Sequence, residues 1–184
     1  LYLSKLTIMK KIILLSTFLI FACGYGQNFV GKSVNIKDFK NSKNINLSIS
    51  IPDGWNRNYV NTSNDNDNFV ASYVNKTSTK IIGVELFITE VPFKNISNSE
   101  FKQIFTSKEY LDNLPYVVIN QNSYYVKGNL FLEVIFIYNQ QKTIAFRTLK
   151  DGKLINIVLY STSINDWKND VYLFRQIFKS IEIK

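Results

Sequence analysis

Residues 122–161 read NSYYVKGNLFLEVIFIYNQQKTIAFRTLKDGKLINIVLYS, and this stretch decides the fold. Four runs rich in β-branched and aromatic residues, Asn122 to Lys127, Leu130 to Tyr138, Lys142 to Lys150 and Lys153 to Ser161, are separated by short turn signals. Gly128-Asn129 and Asp151-Gly152 are two-residue hairpin signals, so the segment is expected to be an antiparallel meander. Taking those turns and a three-residue loop between them, paired residue numbers sum to 257, 280 and 303 across the three hairpins. Tyr124 then faces Glu133, Glu133 faces Arg147 and Arg147 faces Asn156, a polar stripe across four strands. Phe131, Ile135, Ile137, Ala145, Leu149, Leu154 and Val158 fall on the same face, so the two charges would sit among apolar side chains. Buried charges must pair. The stripe therefore predicts a Glu133–Arg147 ion pair that fixes register, or, if a helix leaves that face partly open, a site for a small polar ligand or a partner's side chain.

Upstream, Ile45, Leu47, Ile49 and Ile51 alternate with Asn46, Ser48 and Ser50, the period of a half-buried strand. Pro52-Asp53-Gly54 turns the chain, and Trp55 is expected in the core. Asn61 to Asn68 is a polar loop. Its Asp65 and Asp67 alternate as calcium ligands can, but Phe69 stands where an oxygen ligand is needed, so no metal site is expected. Phe69 to Val74 and Ile81 to Val91 read as strands, the second ended by Pro92. Ser97 and Glu100 have capping-box spacing, and Phe101, Ile104, Phe105 and Leu111 follow on one helical face. After the meander, Asp166 to Phe178 is expected to be a helix burying Trp167, Val171, Phe174 and Phe178, followed by a strand from Ser180 to Ile183.

The beginning of the chain reads as a targeting segment. Met9-Lys10-Lys11 precedes an apolar run, Ile12 to Ala22, of signal-peptide length and too short to span a bilayer. Residues 1–8 read as an over-long start. Cleavage before Gln27, with Gly24 and Gly26 at the small-residue positions, leaves a soluble protein. Lipidation of Cys23 is the alternative, against which Phe21 stands where a smaller residue is usual, and it would anchor the protein to the outer membrane. A Met-Lys-Lys leader ending in Gln is similar to those of Bacteroidetes, which points to periplasm or exterior. Residues 27–43 read as a lysine-containing arm and 44–184 as one α+β domain, of a size that needs no disulfide or metal staple.

The order of elements carries a resemblance. Ile49-Ser-Ile-Pro-Asp-Gly-Trp55, a single helix, a long meander and then Phe174-Arg-Gln-Ile-Phe-Lys-Ser-Ile181 together resemble the PsbP-like fold family. That resemblance implies an antiparallel β-sheet flanked by helices, an α/β/α sandwich, in proteins that bind others rather than catalyse. The family's members, among them the photosystem II extrinsic subunit and a Ran-binding protein, share a fold and not a function.

Composition narrows the chemistry further. The chain carries 22 Lys and Arg against 14 Asp and Glu, and three of its lysines precede residue 27. With only Arg57, Arg147 and Arg175, well separated, this balance does not suggest a nucleic-acid partner. There is no histidine, and Cys23 is the one cysteine, which rules out His-dependent triads, Cys-His nucleophiles, His/Cys zinc sites and disulfides after residue 26. Among carboxylates on strands, Glu85, Glu90 and Glu133 are the pool an acid-base enzyme would need, and each reads more simply as a surface or paired charge. The expectation is an exported, non-catalytic monomer without cofactor, binding an envelope protein, or alternatively a carrier holding a small molecule or lipid between helix and sheet.

Overall fold

This computed structural model describes residues 30–37, 39, 41–58, 68–92, 96–138, 141–162 and 166–184, which form ten strands in two antiparallel sheets, most of them built by alternation of apolar and polar residues. The leader, Cys23 and the Asp65/Asp67 loop lie outside the described residues. The small sheet has the order β1 (Gly31–Asn35), β2 (Leu47–Pro52), β10 (Glu182–Ile183). The large one runs β3 (Asn56–Arg57), β4 (Phe69–Lys76), β5 (Ile81–Glu90), β9 (Lys153–Ser161), β8 (Gln141–Lys150), β7 (Asn129–Tyr138), β6 (Val117–Val126). Among the described residues there are three helices: α1 (Asn98–Thr106), α2 (Lys108–Asp112) and α3 (Trp167–Lys179).

Several expected elements differ in instructive ways. Part of the stretch expected to be a lead-in arm is β1, paired with β2 from Gly31↔Pro52 to Asn35↔Ser48. Ile36 then enters the core, where it is 1% exposed. Strand β6 begins five residues earlier than expected, because Asn120, Gln121 and Asn122 lie on a solvent-facing edge strand where polar side chains are no obstacle. A bulge between Val118 and Asn120 bends that edge. The expected single helix is two. Ser97 caps α1 in a full capping box with Glu100, but Ser107 is extended and its hydroxyl caps the Tyr110 N–H, starting α2 afresh.

The decisive difference lies in the meander's register. The first turn is Lys127-Gly128, both with positive φ, as a type I′ turn requires; glycine takes the second position, not the first. Pairs therefore sum to 255, and Tyr124 faces Phe131 while Asn122 faces Glu133. In the second hairpin Tyr138 pairs with Gln141, a loop one residue shorter than expected, so Glu133 faces Phe146 and Arg147 faces Leu132. A one-residue slip exchanges the faces of a strand. Glu133 and Arg147 consequently lie on opposite faces of the sheet, and the expected ion pair between them does not form. The third hairpin turns at Asp151-Gly152 and keeps the expected register, with Arg147 facing Asn156.

Most of one face of the large sheet is covered, with the facing pair Val117 and Ile137 left exposed. Helix α3 and the small sheet pack side by side on it, burying Leu47, Ile49, Ile51, Phe131, Phe146, Ile157, Phe174, Ile177 and Phe178 in one core. Phe146 stacks on Phe178 with ring centroids 3.9 Å apart. Trp55 and Trp167, expected to be buried, are half-buried at the margin of this core, and Ile177 occupies a deeper place than either. Glu133, with no exposed surface, holds α3 down: Arg175 donates to it through Nε at 3.3 Å and Nη2 at 3.2 Å, and Asn122 and Tyr124 donate from β6. Attraction to Glu133 raises the Arg175 pKa.

The helix is also fixed at its beginning. Asp170, buried in the first turn of α3, pairs with Lys80 from the β4–β5 turn, and Asp166 lies 3.5 Å from the same ammonium. Replacing Lys80 with Met should leave the buried Asp170 carboxylate uncompensated and cost about 2 kcal/mol in urea unfolding. The double variant Lys80→Met with Asp170→Asn should recover most of that loss.

Candidate functional site

The second face of the large sheet is only half covered. Phe101 and Phe105 of α1 pack on Leu130, Leu132, Leu149 and Leu154, closing the half nearest the β6–β7 and β8–β9 turns. Beyond α2 the chain returns through Pro115 and Tyr116 into β6, and no helix among the described residues covers the sheet there. A trough of about 430 Å³ remains, lined by Glu85, Phe87, Pro115, Tyr116, Phe136, Tyr138, Gln141, Thr143, Val158 and Tyr160.

Strand pairing explains why these residues meet. Gly83↔Tyr160, Tyr160↔Thr143 and Glu85↔Val158 are facing pairs on adjacent strands, and residues two apart share a face. Gly83 is needed because the Tyr160 ring lies across it: a Cβ at Gly83 would stand 2.6 Å from that ring. A strand glycine covered by an aromatic ring from the next strand keeps the ring flat on the sheet and turns it into a trough wall. Tyr116 stacks on Phe136, centroids 4.0 Å apart, and forms the opposite wall.

Arg147 sets the position of that wall. It is 4% exposed, and its guanidinium donates to Asn156 Oδ1 at 3.2 Å, to the Tyr110 hydroxyl at 3.2 Å and to the Tyr116 hydroxyl. No carboxylate among the described residues pairs with it, so its charge is satisfied by three neutral oxygens, two of them phenolic. Burial raises the Tyr110 pKa, and Arg147 opposes that shift. Arg147 thus works as a buttress that ties α2 and the Pro115–Tyr116 return to the sheet.

Among the described residues, Glu85 is the one charged side chain in the trough lining. Its carboxyl pKa is raised by burial, and no Lys or Arg among the described residues pairs with it. Tyr160 feels it: burial first, and then the nearby Glu85 charge, push the phenol upward, while the Ser72 hydroxyl opposes the shift. A half-buried, unpaired carboxylate among aromatic rings is held at a cost in stability, which marks a candidate site.

The residues expected to form one site fall into two groups. Tyr124 and Glu133 belong to the α3 anchor, Arg147 and Asn156 to the buttress behind the trough, and none of the four lines the trough. Glu133 and Glu85 lie on opposite faces, and Glu90, five residues from Glu85, points away from it as well. The trough residues were missed because Glu85 was weighed only as an isolated strand charge. The signal was Gly83-Val-Glu85-Leu-Phe87, in which Val84 and Leu86 define one buried face and Gly83, Glu85 and Phe87 an unusual second one.

The folded protein holds the Glu85 proton above the pH at which the unfolded chain releases it, so stability falls as pH rises from the ordinary glutamate range through the folded value. Glu85→Gln should therefore raise the melting temperature at pH 7 and leave it unchanged near pH 4. Arg147→Met should leave the fold intact and the trough wall loosened, seen as loss of hydrogen-exchange protection confined to residues 107–118.

No family model and no curated protein matches the sequence. Among solved structures, the cyanobacterial PsbP protein (CyanoP) of Synechocystis sp. PCC 6803 is similar over 86% of this chain and 96% of its own, at 15% identity and a TM-score of 0.54. LpqN of Mycobacterium tuberculosis, described as involved in cell envelope biogenesis, is similar over 83% of this chain and 91% of its own, at 9% identity and a TM-score of 0.49. At such identity the likeness speaks for architecture alone. The chain has the α+β architecture of the PsbP-like fold, an antiparallel sheet flanked by helices.

Proposed function

We propose that this protein is a non-catalytic binding domain of the bacterial cell envelope and that the trough is its ligand surface. The observation that carries this reading is the trough itself: half of one sheet face is left concave, aromatic and buttressed. Export rests on the Met9-Lys10-Lys11 leader and the apolar run after it. No helix among the described residues is long and apolar enough to cross a membrane.

Between a protein partner and a small ligand, the shape favours the small ligand. A concavity of about 430 Å³ matches the size of ordinary small-molecule sites, whereas protein partners bind flatter and wider surfaces. The position differs from the expected space between helix and sheet. A groove does lie there, between α1 and β6, but Lys102, Thr106, Gln121, Asn122 and Ser123 make it polar and unsuited to a lipid chain.

The test is purification of the protein from its native envelope alongside a Val158→Trp variant, whose indole fills the trough floor. Extraction with organic solvent should release a small molecule from the wild type and none from the variant. A stoichiometric protein partner retained equally by both would overturn the assignment of the trough. Intact mass on the same samples should begin at Gln27; a lipidated Cys23 would make the protein an anchored carrier instead.

A further inference from the structure

Charge in the trough is unbalanced, and the imbalance has a definite sign. Five aromatic rings, Phe87, Tyr116, Phe136, Tyr138 and Tyr160, line it together with the single carboxylate of Glu85. Aromatic faces carry negative potential, so both the rings and the carboxylate favour a positive charge between them. The nearby cations do not supply it. Lys142 lies over Trp167 on the far side of the sheet, Lys80 is committed to Asp170 and Arg175 to Glu133. Arg147 sits behind Tyr116, is absent from the lining and is engaged by three oxygens.

From this arrangement we infer that the trough binds a small organic ammonium ion, with Glu85 as its counter-charge and the rings as its cage. The inference rests on the trough being the ligand surface and adds the chemical class of the ligand. A compact, strongly hydrated metal cation would need several oxygen ligands, whereas Glu85 is the one carboxylate in the described lining and the other oxygens there are the neutral groups of Gln141, Thr143 and the tyrosines. An alkylated ammonium spreads its charge over methyl or methylene groups and loses little on leaving water, which is what an aromatic lining with one acid can hold. An anionic ligand, or a neutral one without a hydrogen-bond donor, would leave Glu85 desolvated without compensation.

Tyr160 adds selectivity through its position. Its ring is pinned over Gly83 and its phenol lies near Glu85, so the wall and the carboxylate keep a fixed relation when a ligand enters. Tyr138 is half exposed at the outer lip and can cover the ligand without rearrangement of the sheet.

The experiment compares two probes of nearly equal shape, choline and its uncharged isostere 3,3-dimethylbutan-1-ol, by amide chemical-shift titration of the purified protein. Choline should shift amides of β5, β8 and β9 around the trough and bind about tenfold more tightly than the alcohol, and Glu85→Gln should remove that difference. Melting curves of Glu85→Gln establish that the variant is folded. Equal binding of the two probes in the trough would overturn the ammonium assignment while leaving the trough as a ligand surface. Shifts confined to other residues, or none with either probe, would overturn both, and so would an unchanged choline preference in Glu85→Gln that is abolished by no trough variant.

Discussion

The register between β7 and β8 is the constraint on which the rest depends. Tyr138 pairs with Gln141, and every facing pair in that hairpin follows, down to Leu132↔Arg147. With one more residue in the loop, Glu133 and Arg147 would have faced each other on one surface. As it stands, each charge goes to its own face and each is satisfied by a different set of neighbours: Glu133 by Arg175, Asn122 and Tyr124, Arg147 by Asn156, Tyr110 and Tyr116. Because side chains alternate along a strand, the slip that would join the two charges would also turn Phe131 and Ile135 away from α3. Register is therefore held by the whole hydrophobic face rather than by the ions.

The two faces then take different roles. On the α3 side the helix and the small sheet close a continuous core, and its charged group acts as a clasp between helix and edge strand. Breaking such a clasp leaves a carboxylate without exposed surface unpaired, a larger loss than the pair's own net contribution. On the other side α1 and α2 close only the half that carries Leu130, Leu132, Leu149 and Leu154. The break at Ser107 matters here. It redirects the chain so that Tyr110 reaches Arg147, and the short return through Pro115 sets Tyr116 against Phe136. The trough is thus bounded by a helix that stops and a tyrosine that is held.

Much of this architecture was legible in the sequence. The strands from Leu130 onward, the Asp151-Gly152 turn, the Ser97 capping box and the closing helix all follow from local rules of periodicity, φ preference and capping, which act over a few residues. The register did not follow, because a loop of two and a loop of three residues are equally compatible with the Asn-Gln-Gln composition at 139–141, and parity alone separates them. Strand β1 escaped for a related reason: its burial pattern is almost entirely exposed, so it pairs through backbone hydrogen bonds and leaves no apolar alternation to read. The site was the least legible part. Glu133 and Arg147 stand out in the sequence as charges in apolar strands, yet neither lines the trough, whereas Glu85 gains its meaning from Tyr160 and Tyr116, distant residues that only the folded sheet brings near.

Rigidity is the feature that makes the trough more than an unfilled gap. A gap left by imperfect packing would be walled by side chains free to collapse into it, and collapse would recover the lost dispersion contacts. Here the walls cannot move inward cheaply. Tyr160 lies flat over Gly83, where it fills the space a side chain would occupy, and leaving it would expose the glycine backbone. Tyr116 is held from behind by Arg147, and moving it would strand a buried guanidinium that has no carboxylate to fall back on. Glu85 adds a cost that apolar packing would have avoided. A concavity kept open by two independent restraints, around a carboxylate the fold would be more stable without, is preorganised for a ligand that supplies the missing positive charge.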